Sequence, residues 1–463
     1  MHLRATPRHL LMLCAMALAV ATSSWVHAQP APPAKPAAAG PATTASPAAK
    51  PVAKPATKPP APPAGPPASL LNFHRALQEL ESGRRQRLVA LQIGDSHTAA
   101  DHFTNRLRTL LQERFGNAGR GPLPPGVPYD YYRPYEVRVT QSENWVMWSS
   151  RRDGDPGPFG MAGFRLRGDS PRDYVELEST ESNFDAAEIE ILAQPGGGSL
   201  IVSVDGNVVG EFPTAARAFE ARRIAVPMAR PGRILAVVPR GNGQIELLGW
   251  NIWRRAKGVT VANLGFPGAA VQIMERFDQD ILSFELAALN PALIVIAFGT
   301  NEGFSLSLDA VSYRQQFAER LAQWRQLAPH ASLVVIGPPV ALRLPDYCAP
   351  DPMRRERLAC GPVAAKDVPN YVRLLSQQSN SLCKWHEPPP ERTVRDIQRA
   401  VAAQYGAFFW DWAKVPDGPC GMDAWARRNP ALAHKDRVHM RPDGYALGAE
   451  ALYKELLAGY RSR

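Results

Sequence analysis

The folded part of this sequence carries little net charge. The chain has 463 residues and a formal charge of +10. Six of its cationic residues precede residue 69, where no acidic residue balances them: Arg4, Arg8, Lys35, Lys50, Lys54 and Lys58. Beyond them no cluster of Lys and Arg is interleaved with aromatic residues, as a nucleic-acid-binding surface would require. The sequence therefore predicts no nucleic-acid partner.

The sequence also lacks an apolar run long enough for a comfortable membrane span, which needs about 20 residues. The apolar stretch Leu10–Ala21 follows two arginines, and Val26–Ala28 resembles a small-residue cleavage site. This order is typical of a secretory signal peptide. We therefore predict that residues 1–28 are such a peptide, cleaved after Ala28, and that no membrane span is left after cleavage.

Residues 29–68 contain no aromatic and no acidic residue, and 28 of these 40 residues are Pro or Ala. Such a composition cannot form a hydrophobic core, so we expect a disordered, extended linker. Its lysines suit an anionic polymer of the cell envelope, and a solvated spacer without a binding role is the simpler alternative.

Cysteine is scarce and lies mainly in the last third of the chain. Apart from Cys14, within the predicted signal peptide, the cysteines are Cys348, Cys360, Cys383 and Cys420. An even number in an exported protein predicts two disulfides, with three connectivities open. Proximity in sequence favours Cys348–Cys360 and Cys383–Cys420. A zinc site is the alternative, but the absence of a Cys-x-x-Cys pair speaks against it, and we predict no metal site.

The apolar run Leu88–Ile93 predicts a buried strand of a parallel sheet. It ends in Gly94-Asp95-Ser96, and apolar residues at helical spacing follow from Thr98 to Phe115. A strand, a sharp turn and a helix place the Ser96 hydroxyl at the carboxyl end of a strand, where open α/β sheets bind their ligands. The alternative is that Ser96 only begins the helix.

The same pattern of strand and helix returns after residue 255. Its strands are predicted at Val259–Leu264, Leu293–Phe298, Leu333–Ile336 and Ala407–Trp412, and a last helix at Tyr445–Leu457. With Leu88–Ile93 they predict a doubly wound parallel α/β sheet formed by residues 69–129 and 255–463.

Residues 130–254 differ from both flanks. Eight short strand-like runs with intervening turn signals predict an inserted all-β sandwich domain. Sandwiches of this kind often bind carbohydrate through exposed aromatic residues, and Trp145 and Trp148 are candidates. The alternative for each tryptophan is a place in the sandwich core.

Three later loops supply what a serine nucleophile needs: a base, a carboxylate that orients it, and oxyanion donors. Asp436-Arg-Val-His439 offers the carboxylate and the base on one turn. Asn301 can aim its amide at an oxyanion. Gly268, without a side chain, lets its backbone N–H approach the same point, and the Ser96 N–H would be a third donor.

These four segments, in this order, resemble the sequence blocks of the SGNH (GDSL-type) hydrolases, whose fold is flavodoxin-like. His97 after the serine and the inserted β domain resemble the peptidoglycan O-acetylesterases of Gram-negative bacteria. The resemblance implies that Ser96 is the nucleophile, His439 the general base and Asp436 its orienter, with Ser96, Gly268 and Asn301 forming the oxyanion hole. Gly268 is preferred to Gly265 because its distance from Asn263 fits the family's pattern.

Asp95 is expected to bridge loops rather than to take part in chemistry. His97 either touches substrate or makes a local hydrogen bond. His102, His386 and His434 are expected to be structural or surface residues.

By the same resemblance, the protein is expected to be an esterase of the periplasm, either free or associated with the cell envelope, that needs no cofactor. Its partner would be peptidoglycan or another acetylated polysaccharide, bound in part by a carbohydrate-binding-module-like insert. It would remove acetyl from the C6 hydroxyl of muramoyl residues through an acetyl-enzyme. The alternatives are a general SGNH esterase or lipase, a glycan O-acetyltransferase, and a binding module with a vestigial site.

Overall fold

A computed structural model of the chain describes residues 67–462. The predicted signal peptide, and all but the last two residues of the predicted linker, lie outside the described residues. Within 67–462, none of the helices combines the length and the apolar character needed to cross a membrane.

The strands and helices of this part are as follows. The strands are β1 (Arg87–Gly94), β2 (Gly121–Leu123), β3 (Val137–Gln141), β4 (Val146–Ser149), β5 (Phe164–Gly168), β6 (Val175–Ser179), β7 (Ala186–Ala193), β8 (Ser199–Val204), β9 (Asn207–Pro213), β10 (Glu220–Ala225), β11 (Ile234–Pro239), β12 (Ile245–Trp253), β13 (Gly258–Gly265), β14 (Leu293–Ala297), β15 (Ser332–Gly337) and β16 (Phe408–Asp411). The α-helices are α1 (Leu71–Glu81), α2 (Ser96–Ala99), α3 (His102–Phe115), α4 (Gln279–Leu289), α5 (Thr300–Phe304), α6 (Ala310–Leu327), α7 (Pro352–Arg357), α8 (Tyr371–Ser376), α9 (Pro389–Gln404), α10 (Gly421–Arg427) and α11 (Pro442–Leu456).

Five parallel strands form the sheet that carries the predicted site. Their spatial order is β13-β1-β14-β15-β16, and every pairing is parallel. Strands β13 and β14 are buried along their whole length because helices cover both faces of the sheet. In chain order this is the 2-1-3-4-5 arrangement, in which the connections reverse direction between β1 and β14. The prediction of a doubly wound parallel sheet is confirmed, and Ser96 follows β1 at this reversal.

The predicted helix Thr98–Phe115 is in fact two helices, α2 and α3, separated at Asp101. The backbone of Asp101 has a φ of 55°. Its buried carboxylate accepts hydrogen bonds from the Arg120 guanidinium at 3.2 Å and the Tyr135 N–H at 2.9 Å. These contacts stabilise the interruption between α2 and α3, and the spacing of apolar residues did not predict them. Another short segment follows β13, where the 3₁₀ helix Val271–Arg276 precedes α4.

Two antiparallel sheets lie between β1 and β13. One has the order β10-β7-β12-β5-β4, with β2 paired to β12, and the other has the order β3-β6-β11-β8-β9. Side chains from both sheets, such as Leu166 and Leu247 of the first and Leu177 and Val202 of the second, belong to one hydrophobic cluster. The eight predicted runs correspond to β3, β4, β6, β7, β8, β10, β11 and β12, whereas the sequence pattern missed β2, β5 and β9. The boundaries of an inserted domain at 130 and 254 stay a prediction.

The two predicted aromatic candidates have different environments. Trp145 is buried in this cluster, and its indole N–H donates to the Tyr174 carbonyl at 2.8 Å. Trp148 is half-buried, with the guanidinium groups of Arg165 and Arg167 at 4.8 and 5.0 Å from its ring centre. Trp145 therefore lies in the hydrophobic core, which was the alternative predicted for it.

All four cysteines of the C-terminal third are in disulfides, but the pairing expected from proximity is wrong. The bonds are Cys348–Cys383 and Cys360–Cys420. The chain turns back after α7, so that Trp385 lies beside Cys360 and His386 beside Arg343. This fold brings Cys383 to Cys348 and leaves Cys360 for Cys420.

Candidate active site

The turn after β1 fixes the position of Ser96. A Cβ on Gly94 would lie 2.4 Å from the Ala297 carbonyl oxygen, so this close approach to β14 requires glycine. The Asp95 N–H donates to the same carbonyl, and the Asp95 carboxylate accepts the His97 N–H at 3.0 Å. The chain thus turns sharply at the sheet edge and presents Ser96, which is half-exposed.

Ser96, His439 and Asp436 form a continuous hydrogen-bonded relay. The Ser96 Oγ lies 2.9 Å from His439 Nε2, and His439 Nδ1 lies 2.8 Å from Asp436 Oδ2. An Nδ1–H that donates to the carboxylate leaves Nε2 unprotonated, so Nε2 accepts the Ser96 O–H. The structure thus brings together the three residues predicted to act as nucleophile, base and orienter.

The Arg437 side chain stabilises the loop that carries His439. Arg437 has a φ of 55° and a fully buried side chain. Its guanidinium donates to Asp423 at 3.1 Å and to Glu356 at 2.7 Å. The second oxygen of Asp436 accepts the backbone N–H groups of Val438 and His439, which closes the turn. Sequence reasoning missed Arg437, although it stands between the two predicted residues.

Hydrogen bonds and charges within the relay determine the protonation states of Asp436 and His439. Burial opposes ionisation of Asp436, but hydrogen bonds from the His439 ring and from backbone N–H groups outweigh it and lower the Asp436 pKa to about 2. The hydrogen bond to the Asp436 carboxylate raises the pKa of His439 against the effect of burial. The carboxylate is therefore ionised at neutral pH, and it favours the imidazolium that forms when His439 takes a proton.

The two predicted oxyanion residues stand on neighbouring loops. Gly268 has a φ of +67°, a conformation that favours glycine. The Asn301 amide donates to the Ala269 carbonyl at 2.8 Å, and the Glu302 carboxylate accepts the Val271 N–H at 2.8 Å. These bonds tie the start of α5 to the loop after β13.

Gly265 and Asn263 have packing roles. A Cβ on Gly265 would lie 2.1 Å from the Ala99 nitrogen, so the strand end leaves no room for a side chain. The Asn263 amide donates to Thr104 Oγ1 at 2.7 Å and to the Thr98 carbonyl. Both residues therefore position the helices beside Ser96.

The floor of the site contains buried ionisable groups. Burial raises the pKa of Asp95 to about 6 and that of Glu302 to about 7. His97 is 2% exposed, its Nδ1 lies 3.0 Å from the Tyr445 hydroxyl, and burial lowers its pKa to about 3. His97 is thus neutral and makes the local hydrogen bond that was one of its two predicted roles. Sequence reasoning did not single out Glu302, although it adjoins Asn301.

The other histidines lie outside the relay. His102 Nδ1 lies 2.9 Å from the Tyr135 hydroxyl, and His386 Nε2 lies 2.9 Å from the Tyr371 hydroxyl in the disulfide-bonded region. His434 is exposed, and its backbone bonds to the active-site loop: its N–H donates to the His439 carbonyl at 2.8 Å, and its carbonyl accepts the Arg437 N–H at 3.1 Å. His102 and His386 thus make structural hydrogen bonds, and His434 is a surface residue.

Comparison with known proteins shows what this arrangement is similar to. The family model described as GDSL-like lipase/acylhydrolase matches residues 241–447, which include Gly268, Asn301, Asp436 and His439 but not Ser96. Among solved structures, a peptidoglycan O-acetylesterase is similar at 25% identity with a TM-score of 0.66, over 84% of this chain and 96% of that one.

Two other esterases are similar only at a much lower level. A family two carbohydrate esterase from Clostridium thermocellum, in complex with cellohexaose, has 13% identity and a TM-score of 0.26 over 68% of this chain and 98% of its own. An acetyl xylan esterase has 14% identity and a TM-score of 0.26 over 42% of this chain and 79% of its own. None of the curated proteins compared with the chain matches it significantly. The family match and the peptidoglycan O-acetylesterase structure, with the geometry around Ser96, show that the chain is a carboxylic ester hydrolase with the SGNH hydrolase fold and that it resembles the peptidoglycan O-acetylesterases.

Proposed function

We propose that this esterase removes O-acetyl groups from a cell-wall glycan, most specifically from the C6 hydroxyl of muramoyl residues in peptidoglycan. The observation that carries the proposal is the Ser96–His439–Asp436 relay, set in a fold that matches a peptidoglycan O-acetylesterase over 84% of the chain. The relay supplies the chemistry of ester cleavage, and the similarity supports the substrate.

The first half of the reaction forms an acetyl-enzyme. The Ser96 Oγ attacks the acetyl carbonyl carbon while His439 Nε2 takes its proton. The oxyanion accepts hydrogen bonds from the N–H groups of Gly268 and Ser96 and from the Asn301 amide, whose other N–H is already bound to Ala269. The C–O bond to the sugar then breaks, and His439 returns the proton to the departing sugar oxygen.

The second half repeats these steps with water. His439 removes a proton from a water molecule, which attacks the acetyl group on Ser96, and acetate leaves as the Ser96 hydroxyl is restored. Asp436 stays ionised throughout and stabilises the imidazolium in both halves. If a glycan hydroxyl replaced water, the same residues would catalyse acetyl transfer.

The compartment belongs to the same proposal. Disulfides persist in oxidising compartments, and all four cysteines of the C-terminal third are paired. With the signal-peptide pattern at residues 1–28, this supports export to the periplasm, where the glycan lies.

Acetate release from O-acetylated peptidoglycan, compared with the same material after base de-acetylation, tests the substrate. We expect release only from the first, and its loss in Ser96→Ala. Ser307→Ala is a matched control, because this exposed hydroxyl near α5 bonds only within its own turn. Faster turnover of long-chain than of acetyl esters would instead indicate a lipase. Acetylation of an added glycan in place of acetate release would indicate a transferase.

A further inference from the structure

Arg151 places a positive charge directly against the predicted oxyanion loop. A Cβ on Gly268 would lie 2.9 Å from Arg151 Nη2 and 3.5 Å from Arg151 Cζ, so the guanidinium covers this glycine. Arg151 follows β4 and therefore comes from the antiparallel part of the chain, whereas Gly268 follows a strand of the parallel sheet. The antiparallel part thus contributes a side chain to the active site.

The Arg276 guanidinium holds the loop around Arg151 in place. The Arg276 guanidinium, at the end of the segment that follows Gly268, donates to the Ser150 carbonyl at 2.9 Å and also to the carbonyls of Arg152 and Asp155. The Ser150 N–H donates to the Gly163 carbonyl at 2.8 Å. The backbone on both sides of Arg151 is therefore fixed relative to Gly268.

A second contact fixes the two parts against each other in the same region. The rings of Phe164 and Phe266 are stacked with their centres 5.1 Å apart. The Asp278 N–H donates to the Phe159 carbonyl at 2.8 Å. The position of Arg151 beside the site is thus a property of the packed core.

The guanidinium of Arg151 has no partner within residues 67–462. It takes part in none of the ion pairs or side-chain hydrogen bonds there, whereas the neighbouring Arg152 lies 3.6 Å from Asp155. A free fork of donors therefore lies beside Gly268.

We propose that Arg151 is a specificity-determining residue that binds a carboxylate on the same sugar residue as the acetyl ester. A guanidinium pairs with a carboxylate through two parallel N–H···O bonds. In a muramoyl residue this group is the lactyl carboxylate at C3, which is free only where no stem peptide is attached. This inference rests on the proposed function, and it implies that the enzyme prefers glycan from which the stem peptides have been removed.

The geometry favours this role over direct stabilisation of the oxyanion. The guanidinium lies where the side chain of residue 268 would be, whereas the oxyanion donor is the backbone N–H of Gly268. Arg151 is also solvent-exposed, and a hydrated charge contributes little to a developing oxyanion. Outside the hole, it is placed to meet a second group of the substrate.

Two small substrates isolate the interaction. The C6 acetyl esters of N-acetylmuramic acid and N-acetylglucosamine share the sugar ring and the scissile bond and differ by the lactyl carboxylate. The quantity to measure is the ratio of kcat/KM for the acidic ester to that for the neutral ester. Exposed ion pairs contribute up to about 1 kcal/mol, so Arg151→Ala should lower this ratio about fivefold, mainly through KM. Arg151→Lys keeps the charge without the fork and should give an intermediate ratio.

Two controls complete the design. Arg152→Ala removes the adjacent cation and should keep the wild-type ratio, because Arg152 is paired with Asp155. Converting the lactyl carboxyl to its methylamide should lower kcat/KM for the wild type by the same factor as Arg151→Ala does. The two changes together should lower kcat/KM no further than either change alone.

The outcomes separate this inference from the proposed function. Turnover of both sugar esters with an unchanged ratio in Arg151→Ala would overturn the role of Arg151 and leave the proposed function intact. An equal loss on both esters would assign Arg151 to the oxyanion or to structure, and would also overturn it. Turnover of p-nitrophenyl acetate but of neither sugar ester would overturn the proposed function, and this inference with it.

Discussion

Replacing Asp436 with Asn tests how the carboxylate controls His439. The change removes the negative charge while keeping the shape of the side chain. Because the carboxylate raises the pKa of His439, its loss should lower that pKa. Only neutral His439 can accept the Ser96 proton, so activity rises as the pH rises through this pKa. The acid limb of the pH profile should therefore move to lower pH in Asp436→Asn, while the maximal rate falls.

The size of the fall follows from the contacts of Asp436. The His439 bond is 2.8 Å long, and hydrogen bonds to charged groups contribute about 1.5–3 kcal/mol. The Asp436 side chain is 46% exposed, so water screens the interaction and the lower value applies. About 1.5 kcal/mol corresponds to roughly tenfold in rate. If the asparagine also held the His439 ring in the wrong tautomer, the loss in rate would approach about 10⁴-fold, as in other triads.

The assay is kcat/KM for p-nitrophenyl acetate across the acid limb, with Asp443→Asn as control. Asp443 is an exposed acidic residue close in sequence to the relay, at the start of α11, and its replacement should leave both rate and profile unchanged. An Asp436→Asn enzyme with a wild-type rate and an unmoved acid limb would refute the reasoning.

Three further outcomes are expected. Ser96→Ala should abolish hydrolysis of p-nitrophenyl acetate with an unchanged circular dichroism spectrum and Tm, since only the attacking group is lost; residual activity near the wild-type level would exclude Ser96 as nucleophile. Asn301→Ala should lower kcat about 10²-fold or more, measured on the same ester, because an oxyanion donor is removed; a loss confined to KM would contradict this role. Peptide mapping without reduction should recover cross-linked peptides for Cys348–Cys383 and Cys360–Cys420, and alkylation should find four thiols only after reduction.

The sequence predicted those parts of the site that depend on local pattern. Continuous apolar runs mark the strands of a sheet covered on both faces, and polar residues directly after them mark its reactive edge. Ser96 and Asn301 could be found in this way. The turn Asp436–His439 brings its two side chains together by spacing alone.

The remainder depends on contacts between segments far apart in the chain. Arg151 lies against Gly268 in a loop that Arg276 binds, and no local signal marks that arrangement. Asp101 interrupts a helix because Arg120 and Tyr135 satisfy its carboxylate. The disulfides join segments that the bridges Cys360–Trp385 and Arg343–His386 bring together, so proximity in sequence chose the wrong partners.

The separation of Ser96 from His439 by 343 positions also determines when the enzyme can become active. A ribosome completes β1 and its serine long before it reaches the histidine, and a chain that threads through a membrane amino end first emerges in the same order. Any fragment that stops short of His439 holds a nucleophile without a base. The relay that cleaves the ester is thus incomplete until the turn that carries His439 has been made and has packed against Ser96.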